Sequence, residues 1–81
     1  MDAAVAFGKV LRGLRKEAGL TQEELGFEAD LRRTYISILE LGQQQPTLTT
    51  ILKLAKPLKR SAQDIVGRVE VELRLGGRRR Q

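Results

Sequence analysis

The chain has 81 residues, room for one domain with a thin core, and it contains neither cysteine nor histidine. Disulfides, the commonest metal ligands and the commonest acid–base group are therefore all missing, which favours binding over catalysis. Fifteen Lys and Arg against ten Asp and Glu give a net charge of +5, a balance that suits a polyanionic partner.

From Ala4 to Ala18, Phe7, Leu11, Leu14 and Ala18 recur at spacings of four, three and four, the signature of an amphipathic helix. Gly19 supplies the position that commonly ends one, with Leu20 as the hydrophobic contact that follows. Thr21-Gln22-Glu23-Glu24 fits a capping box, so a second helix starts there and runs to about Ala29, with Leu25 and Ala29 inward. Asp30 marks the next turn, because Asp tolerates the left-handed conformation better than most residues. A third helix, Arg32 to Leu41, places Ile36 and Leu39 inward with Tyr35 beside them, and leaves Arg33, Thr34, Ser37 and Ile38 outward.

Gly42 closes that helix, a Gln43-Gln44-Gln45-Pro46 loop follows, and Thr47 caps a fourth helix carrying Leu48, Ile51, Leu52, Ala55 and Leu58. Pro57 removes a backbone donor near its end. Ser61 caps a short fifth helix with Asp64 in its first turn and Ile65 and Val66 inward. Beyond it, Val69, Val71, Leu73 and Leu75 alternate with Glu70, Glu72 and Arg74, the pattern of a half-buried strand. A continued helix is the competing reading, since Val66, Val69 and Leu73 also share a helical face.

Two short helices joined by a turn around Asp30-Leu31-Arg32, the second with a polar outer face, meet the geometric needs of a helix-turn-helix. Periodicity alone also fits a plain helical bundle or a partner-binding module. Specific residues narrow this: Leu11-Arg12-x-Leu14-Arg15, Gly19-Leu20-Thr21-Gln22-Glu23-Glu24-Leu25, Tyr35-Ile36-Ser37, Leu39-Glu40, Pro46-Thr47-Leu48 and Leu54-Ala55-Lys56. In these the chain resembles the Xre-type, phage-repressor-like (Cro/C1-type) helix-turn-helix family over roughly residues 5 to 66. The resemblance implies an all-α, five-helix lambda-repressor-like domain that binds double-stranded DNA. Residues 4–67 would form that domain, 68–76 a strand-like dimerisation segment and 77–81 a basic tail.

The resemblance assigns a phosphate contact to Gln22, where the helix dipole helps, and base reading to Arg33 and Thr34, with Ser37 and Ile38 one turn further along. The chemistry suits these roles: Arg can pair with guanine O6 and N7, Thr donates or accepts, and Ile38 can meet a thymine methyl. Arg32 and Tyr35 are better placed for the sugar–phosphate backbone, and Gln43 and Thr47 are expected to join them there. Arg15 and Glu40 match a structural ion pair common in the family. The chain departs from the family's usual residues at Asp30, Arg32, Ile38 and Gly26. Gly26 within the second helix should cost about 1 kcal/mol unless close packing compensates. Phe27 stands at a usually polar surface position and marks a candidate contact patch.

No metal site, cofactor or enzymatic constellation is expected. No apolar run approaches a membrane span and the opening MDAAVAFGKVLR shows no cleavage site, so a cytoplasmic protein is expected. The partners expected are duplex DNA with a palindromic operator and a second copy of the chain, paired antiparallel through Val69, Val71, Leu73 and Leu75. Arg78 to Arg80 are either a mobile DNA-contacting arm or a solvated tail. The alternative is a protein-interaction module on the same fold, such as an antitoxin acting mainly through a protein partner.

Overall fold

A computed structural model describes the backbone of residues 1–79 and the side chains of residues 1–76. Its elements are α1 (Ala3–Glu17), α2 (Gln22–Ala29), α3 (Arg33–Glu40), α4 (Leu48–Leu58) and α5 (Ala62–Arg79). The sequence dictates most of these boundaries locally. Asp2 Oδ1 accepts the backbone N–H of Val5 at 2.9 Å to open α1, and Gly19, at φ 73°, turns the chain away after it. Thr21 and Glu24 form the reciprocal capping box of α2, at 2.8 and 3.0 Å. Asp30 adopts φ 58° after its last residue. Thr47 and Ser61 hydroxyls accept the N–H groups of Thr50 and Asp64 at the starts of α4 and α5.

The core is one cluster to which every helix contributes, including Phe7, Leu11, Leu25, Ile36, Leu54 and Ile65. α1 packs against α3 and α5, α2 against α3 and α4, and α4 against α5. Two glycines set how closely these elements approach. A Cβ on Gly8 would lie 2.5 Å from the Leu39 carbonyl oxygen, so the α1–α3 crossing requires its absence. A Cβ on Gly26 would lie 2.7 Å from the Leu31 carbonyl oxygen, where the turn between α2 and α3 folds back over α2. The Leu31 N–H closes that turn onto the Gly26 carbonyl at 2.8 Å. Gly26 therefore lets the turn dock, and the close packing that could offset its poor helix propensity is present.

The strand expected at Val69 to Leu75 is a continuous part of α5, and the described residues contain no strand. The cause is geometric. Apolar residues two apart also form two i,i+4 pairs on a helix, about 200° from one another. Val69 packs on the core cluster and Leu73 is half-buried, whereas Val71 and Leu75 are exposed. Extending an existing helix needs no new nucleus, and a lone strand would leave its backbone groups without partners. The helix passes uninterrupted through the expected boundary at residues 67 and 68.

α4 buries Thr50, Leu54 and Leu58, while Leu48 and Leu52 face outward. Pro57 lies in its last turn, and the helix ends one residue later at Leu58, followed by Lys59 at φ 58°. Arg60 then bridges Glu17 of α1 at 3.1 Å and Asp64 of α5 at 3.7 Å, pairs exposed enough to contribute little.

Candidate nucleic-acid interface

α3 exposes one polar arc. At 100° per residue, Arg33, Thr34, Ser37 and Ile38 fall within about 140° of one another, opposite the buried Ile36 and Leu39. Arg33 and Thr34 are exposed, and Ser37 and Ile38 are half-exposed one turn further along. Arg32 precedes the helix in extended conformation and makes no side-chain cap. Arg15, Arg60 and Arg68 are all ion-paired. Among the described residues, Arg32 and Arg33 have no such partner, so the α3 entrance carries two uncompensated positive charges. Leu41, exposed just after α3, extends the same arc with an apolar end that the sequence pattern did not single out.

The scaffold beneath this arc is held by a charged network. Arg15 Nε donates to Glu40 Oε2 at 2.6 Å and Nη2 to Oε1 at 3.1 Å, while Nη1 donates to the Leu20 carbonyl at 2.9 Å. Both side chains are largely buried, and donating to the Glu40 carboxylate holds the Arg15 guanidinium pKa above its ordinary value. Gln22 Nε2 donates to Glu40 Oε1 at 3.1 Å. The C-terminal end of α3, the start of α2 and the last turn of α1 thus meet at one carboxylate. Gln22 also lines an open depression with Arg15, Thr21, Glu23 and Arg33.

A second polar connection ties α3 to α4. Tyr35 Oη lies 3.4 Å from Thr50 Oγ1, and Thr47 Oγ1 donates to Thr50 Oγ1 at 3.1 Å. Thr50 was missed in the sequence reading, although its i, i+4, i+8 spacing with Leu54 and Leu58 marks an inward position. Gln43 is exposed in the loop between α3 and α4, and Thr47 is exposed at its far end. Phe27 is 88% exposed and borders an open depression with Gly26, Asp30, Leu31 and Arg32, next to the α3 entrance. Val69, Val71, Leu73 and Leu75 are not brought onto one face, and the side chains of Arg78 to Arg80 lie outside the described residues. No group of His, Cys, Asp and Glu among the described residues could hold a metal ion, and no described helix is long and apolar enough to cross a membrane.

Comparison with known proteins gives a consistent answer. The chain is 39% identical to the control protein C.BamHI of Bacillus amyloliquefaciens over 61 residues, covering 74% of this chain and 75% of that one. The solved restriction-modification controller protein C.AhdI of Aeromonas hydrophila superposes with a TM-score of 0.74 at 42% identity, over 76% of this chain and 94% of that one. The clp gene regulator ClgR of Corynebacterium glutamicum shares the fold over 99% of this chain and 85% of its own, with a TM-score of 0.93 at 22% identity. The helix-turn-helix family model matches residues 11–65, from the middle of α1 to the first turn of α5. The chain therefore belongs to the helix-turn-helix family, in its Xre-type, phage-repressor-like branch.

Proposed function

We propose that the chain is a small transcriptional regulator that binds double-stranded DNA with α3 in the major groove. The observation that carries this is the pair of exposed, unpaired arginines at the α3 entrance, set beside a polar arc on a helix whose other face is buried. Arg33 and Thr34 read base edges, with Ser37 and Ile38 completing the reading one turn on. Gln22, Arg32, Tyr35 and the Gln43–Thr47 loop contact the phosphate backbone and fix the register. Glu40, by holding both Arg15 and Gln22, sets α3 against the phosphate-facing start of α2. The protein works in the cytoplasm, without a cofactor or catalysis.

It acts as a two-fold dimer on a palindromic site, with residues 68–76 of α5 in the interface. The segment contributes as a helical seam, in which Val71 and Leu75 form one exposed i,i+4 apolar pair. Two of the relatives are named as control or controller proteins, and a restriction-modification controller is the cellular role we favour.

Titration of a labelled random-sequence duplex pool at increasing salt tests the DNA-binding reading. Phosphate neutralisation predicts that affinity falls roughly a thousandfold or more between about 50 and 200 mM salt. Absence of binding, or an affinity indifferent to salt, would overturn it and leave a protein-interaction surface around Phe27 as the reading to pursue.

A further inference from the structure

Among the described residues, Thr50 is the one polar residue in the buried set, 7% exposed among apolar side chains. Its hydroxyl sits between two others. Thr47 Oγ1 accepts the Thr50 backbone N–H at 3.1 Å and sends its own proton to Thr50 Oγ1 at 3.1 Å. Thr50 Oγ1 in turn lies 3.4 Å from the phenolic oxygen of Tyr35. Each hydroxyl carries one proton, so directions along the chain are coupled. A hydroxyl oxygen accepts on two lone pairs and donates one proton, so Thr50, already accepting from Thr47, is able to give its proton to Tyr35 Oη, the other side-chain oxygen within reach. The phenol then accepts from inside and keeps its own proton for an acceptor outside the protein.

We propose that Thr50 is a positioning residue for DNA binding: it fixes the rotor of the Tyr35 hydroxyl so that its proton points to a phosphate oxygen rather than back into the fold. This rests on the DNA-binding reading above and extends it to a residue that cannot itself reach the duplex. The arrangement also redefines Thr47, whose hydroxyl is engaged on both sides within the protein. Any approach by Thr47 to a phosphate must share that hydroxyl or use the backbone, and the free hydroxyl donor in this corner belongs to Tyr35.

The test uses Thr50→Val, Thr50→Ser, Tyr35→Phe and the Thr50→Val/Tyr35→Phe double variant, titrated against a labelled random-sequence duplex pool, because a phosphate contact does not depend on sequence. Valine preserves the buried shape, and the exposed Thr47 hydroxyl can turn to water, so melting temperature serves as the control for folding. The expected result is an affinity loss of about threefold to tenfold for both Thr50→Val and Tyr35→Phe. Thr50→Ser should bind as the wild type does, and the double variant should bind no more weakly than either single one. Tyr35 is the sole tyrosine and the chain has no tryptophan, so intrinsic emission of the free protein reports this phenol alone. It should change in Thr50→Val and not in Thr50→Ser. Wild-type affinity in a folded Thr50→Val variant, losses that multiply in the double variant, or unchanged emission each overturn the proposal alone. A wild type that does not bind the duplex pool removes the DNA-binding reading, and the proposal with it.

Discussion

Four of the five helices begin with a side-chain cap, and α3 does not. Asp2, Thr21, Thr47 and Ser61 each accept a backbone N–H at the entrance to their helix. Arg32, at the same position before α3, has no acceptor to offer. A missing cap costs about 1 kcal/mol, and here it leaves free backbone N–H groups and two unpaired guanidinium groups at one helix start. Each capped helix satisfies one of its first N–H groups with a side chain of the chain itself. The uncapped one keeps its polar capacity for something outside the chain, which is what a recognition helix requires.

Breaking the scaffold should have the largest effect. Glu40→Ala leaves Arg15 largely buried without its carboxylate and removes the Gln22 acceptor, so stability should fall by about 3 kcal/mol in urea titrations. An Arg15→Met/Glu40→Leu pair should cost less than either single truncation, because the desolvated charges leave together. Equal losses in the pair and the singles would mean that the network contributes by shape rather than by charge.

Arg33→Ala should lower affinity for a selected duplex by about 1 to 3 kcal/mol and relax preference at one base position, while Gln22→Ala weakens all sequences alike. Competition with single-base variants of the duplex separates the two patterns. Arg32→Ser addresses the comparison directly, since it supplies the missing cap and removes one charge. It should raise stability by about 1 kcal/mol while reducing the slope of log affinity against log salt by about one per protomer. A variant that gains stability and keeps its full salt slope would take Arg32 out of the interface. The smallest effect belongs to Lys59, which holds φ 58° where glycine is unstrained. Lys59→Gly should stabilise by about 0.5 kcal/mol with DNA affinity unchanged.

What the sequence discloses depends on how local the cause is. Thr21-Gln22-Glu23-Glu24, Gly19 and Asp30 act through their immediate neighbours, so the start of α2 and the turns around it are readable from the residues alone. The outward arc of α3 is readable because its inward partners Ile36 and Leu39 keep helical spacing. Gly26 looks like a fault of propensity until the Leu31 carbonyl is seen packed against it, and Gly8 carries no signal until α3 is laid across α1. Residues 69–75 are ambiguous for another reason. Their alternation satisfies both periods, and packing on α1 together with the absence of a partner strand decides for helix. Thr50 is hidden among the neighbouring threonines 47 and 49, which differ from it only in facing outward.

The helical continuity of α5 also constrains how this protein can diverge. The family match ends at residue 65, while the same helix runs on to residue 79. One residue gained or lost between those points would rotate every later side chain by about 100° about the helix axis and carry it about 1.5 Å along. Changes of three, four or seven residues nearly restore the original facing. Lineages can therefore lengthen or shorten this arm in whole turns and alter what it meets, while the helices that face the groove keep their register.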